Sequence, residues 1–161
     1  MVQEKGLPLS GTVTVRHKAA AAYDLGAHRQ IALKQAKESC SFAVDLAPGD
    51  GKMILLLEKA IEKIDLRLTP ALPGKSFTVS CEIKDRDGKN IPAILPVEVL
   101  ITTDKGVKLP GSGFYAAEKG RLVISEILPT NLPGNTAKIN VSVRCLASGK
   151  STVLPLKFSA R

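Results

Sequence analysis

A chain of 161 residues with 44% hydrophobic and 24% charged residues has the composition of a folded globular protein, which excludes a disordered one. Aromatics make up 4% and Trp is absent, so the core must be aliphatic, and the same poverty argues against a stacking platform for single-stranded nucleic acid or sugar rings. The net charge of +8 raises nucleic acid as a partner, but there are nine Lys/Arg against seven Asp/Glu before Asp65 and fourteen against eight from Asp65 onward, without a basic run.

The basic residues of the second part, such as Lys84, Lys89, Lys105, Lys119 and Lys150, are scattered over strands and turns. Lysines placed this way solvate faces and protect sheet edges, so no nucleic-acid partner is expected. No stretch reaches the ~20 apolar residues of a membrane span. Residues 1–10 lack the apolar core of a signal peptide, so the signal of an exported protein is expected to lie outside this chain.

In chain order, residues 11–16 alternate and are rich in β-branched side chains, which predicts a strand. Residues 18–25 are Ala-rich and by propensity read as helix, until Asp24-Leu25-Gly26 interrupts them. Residues 27–38 have helix-like composition, yet Ile31, Leu33 and Ala36 give only a thin apolar stripe. Composition leaves this region open between a short helix and two strands. Cys40, Phe42, Val44 and Leu46 alternate, so a strand is predicted there, followed by a turn over residues 47–51. Residues 52–58 are a continuous apolar run between charged ends and predict a strand buried on both faces. Residues 59–63, with mixed charge and no Gly or Pro, link onward.

The second part shows a repeated strand-and-turn pattern. Residues 64–68 alternate and end in a Pro/Gly turn. From Ser76, Phe77, Val79, Cys81 and Ile83 alternate with Thr78, Ser80, Glu82 and Lys84, the period of a half-buried strand. Asp85-Arg86-Asp87-Gly88 closes it with turn chemistry. Further strands are predicted at 96–103, a short segment at Phe114 and Tyr115, then 121–128, 139–145 and 153–158, with a Pro/Gly loop at 129–134. Seven strands at this spacing predict an immunoglobulin-like sandwich.

Two resemblances rest on these residues. Ala22-Tyr23-Asp24-Leu25-Gly26, with Phe42-Ala43-Val44-Asp45-Leu46-Ala47-Pro48-Gly49-Asp50-Gly51 and the apolar strand after it, resembles the all-β domain that follows the catalytic domain of many bacterial glycoside hydrolases. That likeness implies strands for the Ala-rich region and structural roles for Asp45 and Asp50. Pro73-Gly74-Lys75-Ser76-Phe77-Thr78-Val79 with Asp85-Arg86-Asp87-Gly88-Lys89-Asn90-Ile91-Pro92 is similar to bacterial immunoglobulin-like modules. Nothing in the chain corresponds to a hydrolase catalytic domain. The fold class expected is all-β: two consecutive sandwich-type domains, residues 1–63 and 64–161, the second immunoglobulin-like.

Signals for chemistry are sparse. His17 and His28 have no Cys or carboxylate at metal-ligand spacing. Asp85-x-Asp87-Gly88 begins like a calcium loop, but Lys89 and Pro96 occupy positions where further ligands belong, and a structural turn is expected. No Gly-x-Ser-x-Gly or phosphate-loop pattern occurs. No catalytic residue, metal or cofactor is expected. Asn140-Val141-Ser142 is a formal glycosylation sequon, discounted because it falls within a strand. Cys81 and Cys145 lie on the apolar parity of the second and sixth strands, where immunoglobulin domains join their sheets. A disulfide there and a pair of free buried thiols are both open, and the odd count, with Cys40, favours thiols. Phe114 and Tyr115, the one adjacent aromatic pair, read either as a ligand contact or as a plug under the sandwich.

The expected function is non-catalytic: an accessory region of a larger, exported bacterial carbohydrate-active protein, packing on a neighbouring catalytic domain. The alternative is an adhesion module that recognises a polysaccharide or a surface protein through its loops. An enzyme acting alone would need a carboxylate pair across a cleft.

Overall fold

The computed structural model describes residues 6–132 and 138–157. Residues 133 and 134 of the Pro/Gly loop, and Phe158 at the end of the last expected strand, lie outside them. No helix occurs among the described residues, and every strand pairing is antiparallel. The chain divides into two compact units, residues 1–60 and 61–161.

Among the described residues the first unit holds six strands: β1 (Leu9–Val15), β2 (Ala21–Asp24), β3 (Arg29–Ile31), β4 (Lys34–Gln35), β5 (Cys40–Leu46) and β6 (Ile54–Leu57). They form two three-stranded sheets, ordered β1-β5-β4 and β3-β2-β6. The Ala-rich region, open between helix and strands on composition, is extended. Every residue of β2 is buried, and Ala21 and Ala22 have no exposed surface. Tertiary packing outweighs the small intrinsic advantage of Ala in a helix, because a strand of small side chains lets both neighbours approach closely. Asp24 ends β2: its Oδ1 accepts the amides of Gly26 and Ala27, each at 3.0 Å, which turns the chain into β3. The apolar run expected to be buried on both faces is less enclosed. In β6 only Leu57 is buried, Ile54 to Leu56 are half-buried, and Met53 just before it is 69% exposed. β6 is an edge strand, so one flank faces solvent.

Among the described residues the second unit holds seven strands: β7 (Lys63–Leu68), β8 (Ser76–Lys84), β9 (Leu95–Thr103), β10 (Gly113–Ala117), β11 (Arg121–Ile127), β12 (Ile139–Cys145) and β13 (Ser151–Leu156). One sheet is ordered β11-β8-β7 and the other β10-β9-β12-β13. The chain changes sheet after β8, β10 and β11, the crossing pattern of an immunoglobulin-like sandwich. The alternation read from the sequence is the packing rule. Phe77, Val79, Cys81 and Ile83 of β8, Leu95, Val97, Val99 and Ile101 of β9, and Ile139, Val141, Val143 and Cys145 of β12 are all at most 2% exposed. Each such Val, Leu or Ile contributes roughly 1.5–3 kcal/mol over an exposed one, which is how a core without Trp is held.

Side chains stitch β13 to β7. Thr152 Oγ1 donates to the Ile64 carbonyl at 3.0 Å, and Lys150 Nζ to the Glu62 carbonyl. Gly120 (φ 70°) follows Lys119 (φ 49°) in the turn between β10 and β11 and wedges against β8: its amide donates to Ala93 O, and its carbonyl accepts the Ile83 amide.

Candidate functional site

Strand parity separates the aromatic pair. Tyr115 faces Val97, a residue without exposed surface, and its hydroxyl donates to the Gly111 carbonyl at 2.9 Å. It closes the loop that precedes β10. Phe114 points the other way. It is 75% exposed, the one exposed aromatic among the described residues. The structure therefore does not hold the two as one contact patch.

Register gives Phe114 its neighbours. It lies opposite Glu98 on β9, and Glu98 lies opposite Arg144 on β12, so Phe114, Glu98 and Arg144 form one cross-strand row on the outer face of the four-stranded sheet. Thr102 is on the same parity of β9 and bridges to Lys108. Lys108 thus stands on the same flank of β9 as Phe114, four β9 residues away, or roughly 13 Å at strand rise. An aromatic with a carboxylate opposite it, a guanidinium one strand further along the row and an ammonium roughly 13 Å away along the strand has the parts for an apolar contact with polar orientation. Glu98, Arg144 and Lys108 escaped the sequence reading. Alternation places Glu98 on a polar face, but only the cross-strand register aligns it with Phe114.

Several carboxylates elsewhere are engaged. Asp65 and Glu82 are directly opposed on β7 and β8, with Lys84 Nζ 2.7 Å from Asp65 and 3.0 Å from Glu82. Lys63 and Arg121 extend this charge lattice at 3.2 and 3.0 Å. The hydrogen bond from Lys84 is the main cause holding both carboxyls below their ordinary values. Two acids kept ionised on an open sheet face do not supply the proton donor that glycoside cleavage requires. In the 85–89 turn, Asp85 Oδ1 accepts the Lys89 amide at 2.8 Å, so this carboxylate is spent on its own loop. Among the described residues no three His, Cys, Asp or Glu side chains cluster as metal ligands.

Cys81 and Cys145, like Cys40, are buried free thiols, and no bridge joins them in this structure. Burial first, and then the neighbouring Cys145, push the Cys81 thiol up to about 12. A thiol so far from ionisation is a poor nucleophile.

The first unit carries a separate apolar feature. Leu9 and Val13 of β1 are 65% and 42% exposed and line a shallow groove with Val44 and Leu46 of β5.

No family model matches the chain, and no curated protein matches it. Among solved structures, the adhesin InvE of Yersinia pseudotuberculosis is similar at a TM-score of 0.40 and 8% sequence identity, over 95% of this chain and 49% of that one. The chain thus spans about half the length of that neighbour.

Proposed function

We propose that the chain is a non-catalytic recognition module of an exported or surface-displayed bacterial protein, binding a glycan on the outer face of the four-stranded sheet of its second unit. The observation that carries this reading is Phe114, left 75% exposed where the other described aromatics are buried or half-buried. Burying such a ring against a ligand gains apolar contact that solvent exposure forgoes. Glu98 and Arg144, in the same row, supply hydrogen-bonding groups on either side of the sheet's midline.

The test is affinity electrophoresis against a panel of soluble polysaccharides, with Phe114→Ala and Tyr115→Phe compared. Retardation by a glycan that is lost in Phe114→Ala and kept in Tyr115→Phe supports the reading. Retardation equal in all three proteins, or absent throughout, overturns it.

A second reading has its own observation. The groove of Leu9, Val13, Val44 and Leu46 is apolar surface of the kind that packs on a neighbouring domain, as an accessory region of a larger carbohydrate-active protein would use it. Amides of residues 9–15 that exchange more slowly in a longer parent polypeptide than in this chain alone would favour it. Equal exchange would remove it.

A further inference from the structure

Backbone hydrogen bonds gather four lysines at one end of the second unit's sandwich. The Leu128 amide donates to the carbonyl of Lys75, the Asp104 amide to that of Lys138, and the Ala71 amide to that of Lys157. Lys108 bridges to Thr102 near the end of β9. All four side chains are exposed. They differ from the basic residues of the three-stranded sheet, where Lys63, Lys84 and Arg121 each meet a carboxylate. Among the described residues, Lys75, Lys108, Lys138 and Lys157 have no ion pair. Among the described residues, Asp104 and Glu126 are the carboxylates at this end, and Asp104 is itself engaged.

We infer that this end of the sandwich, continuous with Phe114 through Lys108, binds an acidic polysaccharide, one bearing uronate carboxylates or sulfate groups. The inference rests on the glycan-recognition reading and names its ligand class. The four cations are lysines. An ammonium is a point charge without the planar fork that selects phosphate or a single carboxylate, so it suits anions repeated along a flexible polymer. No exposed aromatic among the described residues stands at this end itself, Phe77 there being buried, which disfavours single-stranded nucleic acid. Lys157 also rims a shallow apolar depression formed by Leu68, Pro70, Leu154 and Pro155, where the C–H face of a sugar ring has room beside the charge.

The test is affinity electrophoresis in gels containing polygalacturonate, dextran sulfate or neutral dextran. It compares the parent chain with the triple variant Lys108→Glu, Lys138→Glu, Lys157→Glu and a control of equal charge change, Arg86→Glu, Lys89→Glu, Lys119→Glu. Glutamine versions of both triples are run beside them, and circular dichroism checks each fold. The expected result is retention by the acidic polymers over neutral dextran, weakened by salt. The first triple should weaken it by about tenfold to a hundredfold, and the control by no more than about twofold. Equal losses in both triples would overturn the inference, since net charge alone would then act. So would anionic vesicles or duplex DNA bound as tightly through the same lysines, or no preference for acidic glycans. Phe114-dependent retention by a neutral glycan alone sinks this inference and leaves the recognition reading standing. Lysine-dependent retention untouched by Phe114→Ala sinks the site assigned to Phe114.

Discussion

A Cβ placed on Gly120 would lie 2.8 Å from the carbonyl oxygen of Ile91, and 2.9 Å from that of Ile83. These are backbone atoms of buried segments and cannot swing aside. Gly88, at nearly the same φ of 77°, has nothing within 4 Å of such a Cβ. Gly88→Ala should therefore cost about 1 kcal/mol for the left-handed backbone alone. Gly120→Ala should cost about 2–4 kcal/mol, because overpacking adds to it. Urea denaturation of the two variants checks the difference, and equal midpoints would refute the close approach.

Asp24 separates hydrogen bonding from charge. Its Oδ1 holds the amides of Gly26 and Ala27, and its Oδ2 is 3.6 Å from Lys52 Nζ. Asp24→Asn keeps an acceptor for the turn and loses only the attraction to Lys52. Asp24→Ala loses both and should destabilise by about 1–2 kcal/mol. Thermal melts should rank Asp24→Asn between the parent and Asp24→Ala.

The pH dependence follows from the same groups. The Ala27 amide is the chief cause holding the Asp24 carboxyl below its ordinary value, and the Lys84 hydrogen bond does the same for Asp65 and Glu82. Depressed carboxyls stabilise the fold above their unfolded values, and that contribution is lost as pH falls through the folded ones. Lys84 is raised, first by its bond to Asp65, so its contribution is complete below 10.5 and fades as pH rises through the folded value. Urea midpoints should be flat near neutrality and fall below about pH 4, and Lys84→Met should flatten part of that acid limb.

The three cysteines are buried. A thiol reagent at pH 8 should leave all three unmodified in the folded chain and modify all three in denaturant. Cys81→Ala should be tolerated better than Cys81→Ser, because a hydroxyl in this apolar site loses water without gaining a partner. Fast labelling of Cys81 in the native chain would contradict its burial.

Phe114 and Tyr115 should diverge in stability as they do in position. Phe114→Ala, at an exposed site, should change stability by no more than about 0.5 kcal/mol. Tyr115→Phe should lose about 0.5–1.5 kcal/mol with the bond to Gly111 O. Equal melting temperatures for both variants would show that Tyr115 does not close its loop.

The sandwich was legible wherever one face of a strand is buried and the other wet. Phe77, Val79, Cys81 and Ile83 announce their face because water and core alternate along β8. The stretch around Ala21 and Ala22 was not decidable, since alanine suits a helix and equally fills a strand pinched between neighbours. Ile54, Leu55 and Leu56 were expected to be buried on both faces, but apolarity alone does not distinguish an edge from a centre. The candidate site was legible only in part. Phe114 stood out by its residue type, whereas the row with Glu98 and Arg144 depends on strand register. The lattice around Lys84 spans three strands and is likewise set by register.

The stitches from Thr152 and Lys150 to the carbonyls of Ile64 and Glu62 have a mechanical meaning. β7 and β13 run in the same direction, so tension entering at the start of β7 and leaving at the end of β13 slides one strand along the other. Bonds that cross between such strands are loaded together in shear, rather than opened one at a time as in an unzipping hairpin. A module built this way should resist pulling along its length better than its thermal stability alone would suggest, which unfolding under force along that axis would measure.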